Sequence, residues 1–199
     1  LQGDYMEASL NNETNVMVLK KEVDDGTCQK IIDVVQDWEK AKVEGNTRND
    51  LVEKNKTRKS KVFWTNEQWV VDKIWRYMDA YNEITGLNYD VTRWESIQIT
   101  KYEPRDYYDF HIDGRGSHKN IDDDGMVRKI SMTIQLNDDY EGGDFQIAYC
   151  ERGELKTEII ERSKGTIILF PSILDHRVTA VTAGTRYSLV AWFTGPPFK

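Results

Sequence analysis

Residues 165–193 read GTIILFPSILDHRVTAVTAGTRYSLVAWF, and this stretch decides the fold. Its short apolar runs are separated by turn residues such as Gly, Pro and Asp, and similar runs begin near residues 96, 129 and 144. Short strands with regular turns are typical of an all-β sandwich or barrel. The sequence therefore predicts strands over 96–102, 129–137, 144–149, 165–170, 176–181 and 186–193.

Two amphipathic helices are predicted before these strands. Apolar residues recur at steps of three and four over 24–42 and over 66–83, the period of a helix with one buried face. Between them, residues 44–61 are polar and charged, which predicts a mobile loop that closes over a substrate. We expect one mainly β domain over 1–199, with helices and loop in 6–90 and the β core in 91–199.

Composition excludes several classes of function. The net charge of −7 opposes binding to nucleic acid or to anionic lipid. No apolar run reaches the roughly 18 residues that a membrane span needs, and no signal peptide is visible. The two cysteines, Cys28 and Cys150, have no metal-binding spacing and favour a reduced interior. We expect a cytoplasmic protein in which Leu1 to Tyr5 are a tag remnant.

Three residues are candidate metal ligands. His111 and Asp113 lie two residues apart, so in an extended strand their side chains share one face. His176 follows a later apolar run, and the chain has only three histidines. Two histidines and one carboxylate are the ligands of non-haem Fe(II) oxygenases, which keep other metal positions open. A hydrolytic zinc site with the same ligands is the alternative.

Arg186 is a candidate anion-binding residue on the following strand, which we expect to form a hairpin with the strand of His176. Alternation along the strand sends Arg186, Ser188 and Trp192 to one side, where Trp192 forms a wall of the pocket. A guanidinium matches a carboxylate with two parallel hydrogen bonds, and Ser188 adds a further donor. This arrangement favours a dicarboxylate cosubstrate, and a structural ion pair is the alternative.

The ordered set of these residues resembles the 2-oxoglutarate/Fe(II) dioxygenase superfamily, and within it the prolyl 4-hydroxylases. The resemblance covers about residues 94–193 and rests on Tyr102, His111-x-Asp113, Arg128, Leu136-Asn137, Gly142-Gly143-Asp144-Phe145, Gly165, Phe170, His176 and Arg186-Tyr187-Ser188. It implies a double-stranded β-helix, or jelly roll, with the metal at the open end and helices against one outer face.

The resemblance also implies roles for individual residues. His111, Asp113 and His176 correspond to the iron ligands. The other correspondences are Arg186 and Tyr102 in the 2-oxoglutarate pocket, Tyr108 near the substrate, and Arg58 with Ser60 in a substrate-covering loop. The implied cofactors are Fe(II), 2-oxoglutarate and O₂, with ascorbate as an accessory. The implied reaction hydroxylates a prolyl residue of a peptide or protein and releases succinate and CO₂.

Some positions depart from the pattern of prolyl hydroxylases. Arg186 stands where many carry Lys, Gln135 where they carry Tyr, and Arg105-Asp106 where they carry Gly-Gln. These departures keep open a small molecule, another amino-acid residue or a nucleic acid as substrate, and the basic cluster in 54–61 favours the last. Thr133 and Gln135 share a polar strand face that either holds the cosubstrate or is a solvated surface.

The remaining features are weaker candidates. His118 lies in a turn-rich segment, where we expect an exposed side chain rather than a ligand. The acidic run at 122–125 lacks the spaced ligands of a calcium-binding EF-hand loop, so we expect a flexible, solvated lid. A non-catalytic binding module is the last alternative, and it would have little use for three ligands beside an anion anchor.

Overall fold

The computed structural model describes residues 7–41, 57–114 and 124–198, and in these ranges it contains sixteen strands and two α-helices. The strands are β1 (Ala8–Asn11), β2 (Val16–Leu19), β3 (Glu39–Lys40), β4 (Arg58–Lys59), β5 (Lys61–Thr65), β6 (Arg93–Trp94), β7 (Ile97–Tyr102), β8 (Tyr107–His111), β9 (Val127–Gln135), β10 (Glu141–Gly142), β11 (Phe145–Glu151), β12 (Glu154–Ile160), β13 (Ile167–Pro171), β14 (Asp175–Val178), β15 (Val181–Ala183) and β16 (Arg186–Gly195). The helices are α1 (Asp25–Asp33) and α2 (Gln68–Ile84).

Most strands belong to two antiparallel sheets. The larger has the order β1-β2-β13-β9-β16-β7-β5-β3, with β6 beside β16, and the smaller has the order β12-β11-β14-β8-β4. Side chains from both sheets pack into one apolar interior, formed by Val16, Val18, Tyr102, Phe145, Ile147, Ile160, Ile168, Phe170, Val178 and Val181. This is the predicted jelly roll, in which the functional side chains of both sheets point toward the space between them.

The two helices cover the outer face of the larger sheet. Ile31 of α1 and Ile74 of α2 share a second core with Ile99 of β7 and Leu189 of β16. Burying each such aliphatic side chain stabilises the fold by about 1.5–3 kcal/mol relative to leaving it exposed. The helices therefore support the sheet from behind and leave its inner face available for function. Neither described helix is both long and apolar enough to cross a membrane.

The N-terminal part differs from the prediction. The second helix is confirmed, but the first ends at Asp33, and residues 39–40 form β3. In this arrangement the ring of Trp38 packs 5.9 Å from that of Tyr187, so tertiary packing overrides the helical period. The expectation that 6–90 holds only helices and a loop is also wrong, because β1, β2 and β5 extend the larger sheet.

The predicted loop over 44–61 is wrong at its C-terminal end. Residues 42–56 lie outside the described part, but Arg58–Lys59 form β4, which pairs with β8. Residues from Lys61 onward form β5, which pairs with β7. Backbone pairing rather than apolar side chains orders this segment, which explains why composition alone predicts a loop.

All six predicted strand regions form strands, but the predicted hairpin between His176 and Arg186 is wrong. The strand of His176, β14, pairs with β11 and β8 in the smaller sheet. The strand of Arg186, β16, pairs with β9 and β7 in the larger sheet. The short β15 between them pairs with β10 instead. His176 and Arg186 therefore enter the interior from opposite sheets.

Candidate metal and cosubstrate site

His111, Asp113 and His176 form a compact cluster between the two sheets. His111 ends β8, and its Cα pairs with that of His176 in the neighbouring β14. One ligand atom from each of the three residues lies within 4.8 Å of the others. The Asp113 carboxylate is 3.7 Å from Nε2 of His111 and 3.5 Å from Nε2 of His176. The three predicted ligands thus converge on one point.

Backbone carbonyls fix the orientation of both imidazoles. Nδ1 of His111 lies 2.8 Å from the carbonyl oxygen of Asp109, and Nδ1 of His176 lies 2.9 Å from that of Leu174. With Nδ1–H donating to the carbonyl, Nε2 of each ring keeps its lone pair and faces Asp113. Burial, followed by the neighbouring His176, lowers the pKa of His111 to about 3. His111 is therefore neutral at pH 7, the form that binds metals.

The Asp113 carboxylate is held by a short chain of hydroxyl groups. Ser131 Oγ donates to its Oδ2 over 2.8 Å, and Ser172 Oγ lies 2.9 Å from Ser131 Oγ. Burial alone would raise the pKa of Asp113, but His176, His111 and Arg128 together lower it, so the group is a carboxylate. Ser131 was not among the predicted site residues, although alternation along β9 places it on the face of Thr133 and Gln135.

Arg186 lies on the larger sheet and is only 1% exposed. It donates to Ser188 Oγ over 3.0 Å and to Gln135 Oε1 over 2.9 Å, and its guanidinium carbon lies 5.3 Å from the ring centre of Tyr102. Among the described residues it makes no ion pair, and its Nε has no hydrogen-bond partner. The structural ion-pair alternative is therefore not supported there. A buried cation without an anion is costly, so this pocket favours an anionic ligand.

The anion pocket and the metal-ligand cluster share one interior. Tyr102, beside Arg186, belongs to the same apolar cluster as Phe145 and Phe170. The rings of Phe145 and Phe170 lie 5.7 Å and 4.8 Å from that of His176. The aromatic interior thus connects the two groups of polar side chains and keeps bulk water away from them.

Thr133 and Gln135 face this interior rather than solvent. They are 4% and 1% exposed, and their Cα atoms pair with those of Val190 and Ser188 in β16. The solvated-surface alternative for this strand face is therefore wrong. Gln135 also keeps an unpartnered buried Nε2 among the described residues, which adds a second donor without a partner beside Arg186.

Tyr108, Arg58 and Ser60 meet beside His111. The Tyr108 ring stacks on the imidazole of His111, with ring centres 3.5 Å apart and planes at 12°. The guanidinium carbon of Arg58 lies 4.6 Å from the centre of the Tyr108 ring. Nε of Arg58 donates to Ser60 Oγ over 2.9 Å. Burial raises the pKa of Tyr108 to about 12, so its hydroxyl stays protonated. The pairing of β4 with β8 brings these residues together.

Trp192, the predicted pocket wall, is buried in β16 of the larger sheet. Its Cα pairs with that of Ser131, the residue that donates to Asp113. The guanidinium carbon of Arg128 lies 4.1 Å from the Trp192 ring centre, and Arg128 also forms two hydrogen bonds of 2.7 Å and 2.5 Å with Glu95. Trp192 Nε1 is buried without a partner among the described residues. The Glu95 contact was not predicted, since no local pattern links Glu95, between β6 and β7, to Arg128 on β9.

Most of the residues of the two weaker sequence candidates are not described by the structure. His118, Asp122 and Asp123 are outside the described residues. Asp124 forms an ion pair of 2.6 Å with Arg93.

A family model matches residues 97–194, which contain the three converging ligands and Arg186, and its family is the 2OG-Fe(II) oxygenase superfamily. Over these residues the chain belongs to the 2OG-Fe(II) oxygenase superfamily. This 2OG-Fe(II) oxygenase region spans β7 to β16, so both the cluster on β8 and β14 and the pocket on β9 and β16 fall inside it.

Curated relatives match the same part of the oxygenase. A PKHD-type hydroxylase of Crocosphaera subtropica is 34% identical over 101 residues, which are 49% of this chain and 41% of the relative. A PKHD-type hydroxylase of a Psychrobacter strain is 36% identical over 96 residues, 47% of this chain and 36% of the relative. The chain thus spans about two fifths of the length of the curated relatives it matches.

Solved structures share the fold of the oxygenase over nearly its whole length. The viral collagen prolyl hydroxylase of Paramecium Bursaria Chlorella virus-1, in a 2OG complex, has a TM-score of 0.66 at 20% identity and covers 94% of this chain and 99% of its own. A Trichoplax adhaerens prolyl hydroxylase, in complex with a hypoxia inducible factor peptide fragment, has a TM-score of 0.63 at 19% identity, with 92% and 84% covered. At this identity the likeness shows the jelly-roll fold alone.

The residues of the oxygenase fit the two groups that its family implies, Fe(II) and 2-oxoglutarate. Two imidazoles and a carboxylate are a donor set that suits Fe(II) and leaves coordination positions open. The unpartnered donors of Arg186 and Gln135 suit the free carboxylate of 2-oxoglutarate. Both fits rest on side-chain chemistry: one site offers lone pairs to a cation, and the other offers N–H groups to an anion.

Proposed function

We propose that this protein is an Fe(II)- and 2-oxoglutarate-dependent hydroxylase that acts on prolyl residues of a peptide or protein. The observation that carries the proposal is the buried Arg186, which has no ion pair among the described residues and lies in the same interior as the His111, Asp113 and His176 cluster. A hydrolytic zinc enzyme needs only the metal ligands and a water, so it leaves the guanidinium without a purpose. A non-catalytic module would need neither site.

The side chains divide the work between metal and cosubstrate. His111, Asp113 and His176 would hold Fe(II), and Arg186 with Ser188 and Gln135 would hold and orient the distal carboxylate of 2-oxoglutarate. When bound with O₂, these groups supply oxidative chemistry that hydroxylates a C–H bond and converts 2-oxoglutarate to succinate and CO₂.

The aromatic interior of Tyr102, Phe145 and Phe170 excludes water from the site. Exclusion of water strengthens the ion pair between Arg186 and its ligand, because the local dielectric constant is low. It also protects reactive species from side reactions with solvent. The side chains therefore bind and orient the metal and the cosubstrate and exclude water. No general acid or base is needed for proton transfer.

Two aromatic walls support a prolyl substrate. The Tyr108 ring stacks on His111, so one flat face lies directly against the metal-ligand cluster, and Trp192 pairs in register with Ser131, which contacts Asp113. Proline-rich segments commonly dock in grooves lined by aromatic rings, since their rigid conformation costs little entropy to order. The names of the fold relatives, which are prolyl hydroxylases, support the same choice.

The described part of the basic cluster gives little support to a nucleic-acid substrate. Lys59 forms an ion pair of 2.8 Å with Asp106, and Lys61 forms one of 2.8 Å with Glu103. These contacts neutralise the charges that would otherwise meet phosphates. A peptide with cationic or neutral flanks suits the acidic chain better.

Succinate release with Fe(II), 2-oxoglutarate and ascorbate tests the proposal across a panel of proline-containing peptides. Each peptide is paired with a copy in which every proline is replaced by alanine. We expect stimulated turnover and the addition of one oxygen atom only with the proline peptides. Turnover that is stimulated equally by both members of a pair would reject the prolyl assignment, and no Fe(II)-dependent turnover with any substrate class would reject the hydroxylase.

A further inference from the structure

β12 is the outermost strand of the smaller sheet and carries unusually exposed apolar side chains. Among the described residues it pairs with β11 alone. Leu155 and Ile159 are 80% and 61% exposed, and they lie on the same face because they are an even number of residues apart. An exposed edge strand with apolar side chains is a template for pairing with another chain.

The tight turn before β12 defines which backbone groups of this strand are available. Arg152 and Gly153 have φ values of 51° and 85°, as in a two-residue type I′ hairpin, and Glu151 and Glu154 are Cα partners across it. In such a turn the flanking pair exchanges hydrogen bonds, so the N–H and C=O groups of Glu154 point toward β11. The groups of Leu155, Thr157 and Ile159 consequently point toward the outer edge.

The sequence of β12, ELKTEII, is self-complementary when two copies run antiparallel about Thr157. In that register Leu155 of each copy faces Ile159 of the other, and Lys156 of each copy faces Glu158 of the other. Opposite charges and apolar pairs at facing positions stabilise antiparallel strands. We propose that the β12 edge binds β12 of a second copy of this chain, forming a symmetric dimer with one continuous sheet.

Lys156 is the residue that would ordinarily prevent such pairing, because a lysine on a sheet edge discourages association. Its side chain is 45% exposed and contacts Glu151 within its own hairpin. Glu158 accepts a hydrogen bond of 3.2 Å from Asn11. Both charges are therefore held near the edge, where each meets the opposite charge of the second copy. A two-fold contact uses both pairs, as isologous interfaces do.

Charge exchange tests this pairing by sedimentation equilibrium over a range of protein concentrations. We expect the wild-type chain to dimerise reversibly. Lys156→Glu and Glu158→Lys each put like charges at both contacts, and each should weaken the dimer about tenfold or more. An equimolar mixture of the two variants restores opposite charges at both contacts and should dimerise again. The double variant Lys156→Glu/Glu158→Lys should also recover the wild-type affinity.

The controls separate this contact from general electrostatics. Glu158→Lys lowers the net negative charge of −7, so long-range repulsion alone predicts tighter association rather than weaker. Glu154→Lys changes the same strand by the same charge but faces Ile160 of the second copy, so it should change the dimer far less. A wild-type monomer at high concentration, or a dimer that both charge variants leave unchanged, would overturn the proposal.

Disulfide trapping tests the register independently of charge. Both variants carry Cys150→Ser as background. In Thr157→Cys, the cysteines of the two copies face each other across the two-fold axis. Facing Cα atoms of this kind lie about 5.5 Å apart, which is within disulfide range. Mild oxidation should then give a covalent dimer. Leu155→Cys in the same background is the matched control, since its two copies are offset by four residues, about 13 Å. Cross-linking through residue 155 rather than 157 would reject this register. These measurements do not depend on catalysis, so their outcome is separate from that of the proposed function.

Discussion

The metal-ligand cluster on the smaller sheet and the anion pocket on the larger sheet satisfy their polar groups differently. Asp113 accepts a hydrogen bond from Ser131, and both imidazoles are held by backbone carbonyls, so the cluster is ordered by the protein itself. Arg186 has two neutral partners but no anion among the described residues. The cluster is preorganised for its ligand, whereas the pocket remains electrostatically incomplete.

This contrast has an energetic meaning. A metal site whose ligands are oriented by other protein groups loses metal affinity when those groups are removed, because the ligands lose their orientation. A buried cation without an anion destabilises the ligand-free protein and recovers that cost when a carboxylate binds. Substitutions in the two regions should therefore separate metal affinity from 2-oxoglutarate affinity. The size of each loss of affinity should follow the number of bonds to the ligand that the substitution removes.

The largest effect is expected for His176→Ala. This change removes one of three metal ligands, so it should abolish tight Fe(II) binding and all 2-oxoglutarate turnover. Anaerobic Fe(II) titration measures the first and succinate release the second. His111→Ala should behave alike. Cys28→Ala, behind the larger sheet, is a control for general damage. Fe(II) affinity equal to that of the wild type in His176→Ala would show that the cluster does not bind the metal.

The next effect concerns Arg186→Ala, which should raise the 2-oxoglutarate requirement while leaving Fe(II) affinity nearly unchanged. Losing a desolvated carboxylate partner costs about 2–5 kcal/mol, or roughly 30-fold to several-thousand-fold in affinity. Turnover as a function of 2-oxoglutarate concentration measures it.

Arg186→Met sharpens the same comparison through stability. It removes the unpaired buried charge with little loss of volume, so the ligand-free protein should be at least as stable toward urea as the wild type. A large loss of stability in Arg186→Met, together with an unchanged 2-oxoglutarate requirement in Arg186→Ala, would make Arg186 a structural residue.

A smaller effect is expected for Ser131→Ala on the cluster side. Removing the hydrogen bond to Asp113 should lower Fe(II) affinity about 10- to 100-fold, the usual cost of losing an outer partner of a metal ligand. The 2-oxoglutarate requirement, measured at saturating Fe(II), should stay the same. Thr133→Val is the matched control, because it lies two positions along the same buried strand face. Equal losses in both variants would point to damaged packing of β9 instead.

Local pattern explains why so much of the β core follows from the sequence. Alternation on a strand is a local rule, so it correctly turns Arg186 and Ser188 inward. His111 and Asp113 converge as predicted, but not as neighbours on one strand face, because β8 ends at His111 and Asp113 lies in the bend that follows. The partner of a strand is not local. The hairpin between the strands of His176 and Arg186 is wrong because β15 leaves to pair with β10, which no residue within 176–186 indicates.

The missed features have the same origin. The ring of Trp38 packs on Tyr187, about 150 positions later in the chain, and that contact ends the first helix before its apolar period does. Strand β12 was not predicted, because its exposed side chains lack the pattern of a buried strand. Its pairing with β11 depends on the turn at Arg152-Gly153. Ser131 was within reach of the alternation rule, but its hydrogen bond joins β9 to Asp113, in the segment after β8, and no local pattern indicates that contact.

The smallest expected effect is that of Trp192→Phe, which tests where the substrate lies between the two regions. Trp192 sits on the larger sheet opposite Ser131 in register, and its buried Nε1 has no partner among the described residues. Phenylalanine keeps a flat aromatic side chain, but it removes this donor together with part of the indole volume. If the donor meets the substrate, the KM for a proline peptide should rise about two- to tenfold, the value of one hydrogen bond of about 0.5–1.5 kcal/mol.

Fe(II) and 2-oxoglutarate requirements should stay at wild-type values, because Trp192 touches neither the cluster nor Arg186 in the described contacts. Steady-state kinetics at saturating cofactors separates these quantities. A changed 2-oxoglutarate requirement with an unchanged peptide KM would instead assign Trp192 to the anion pocket.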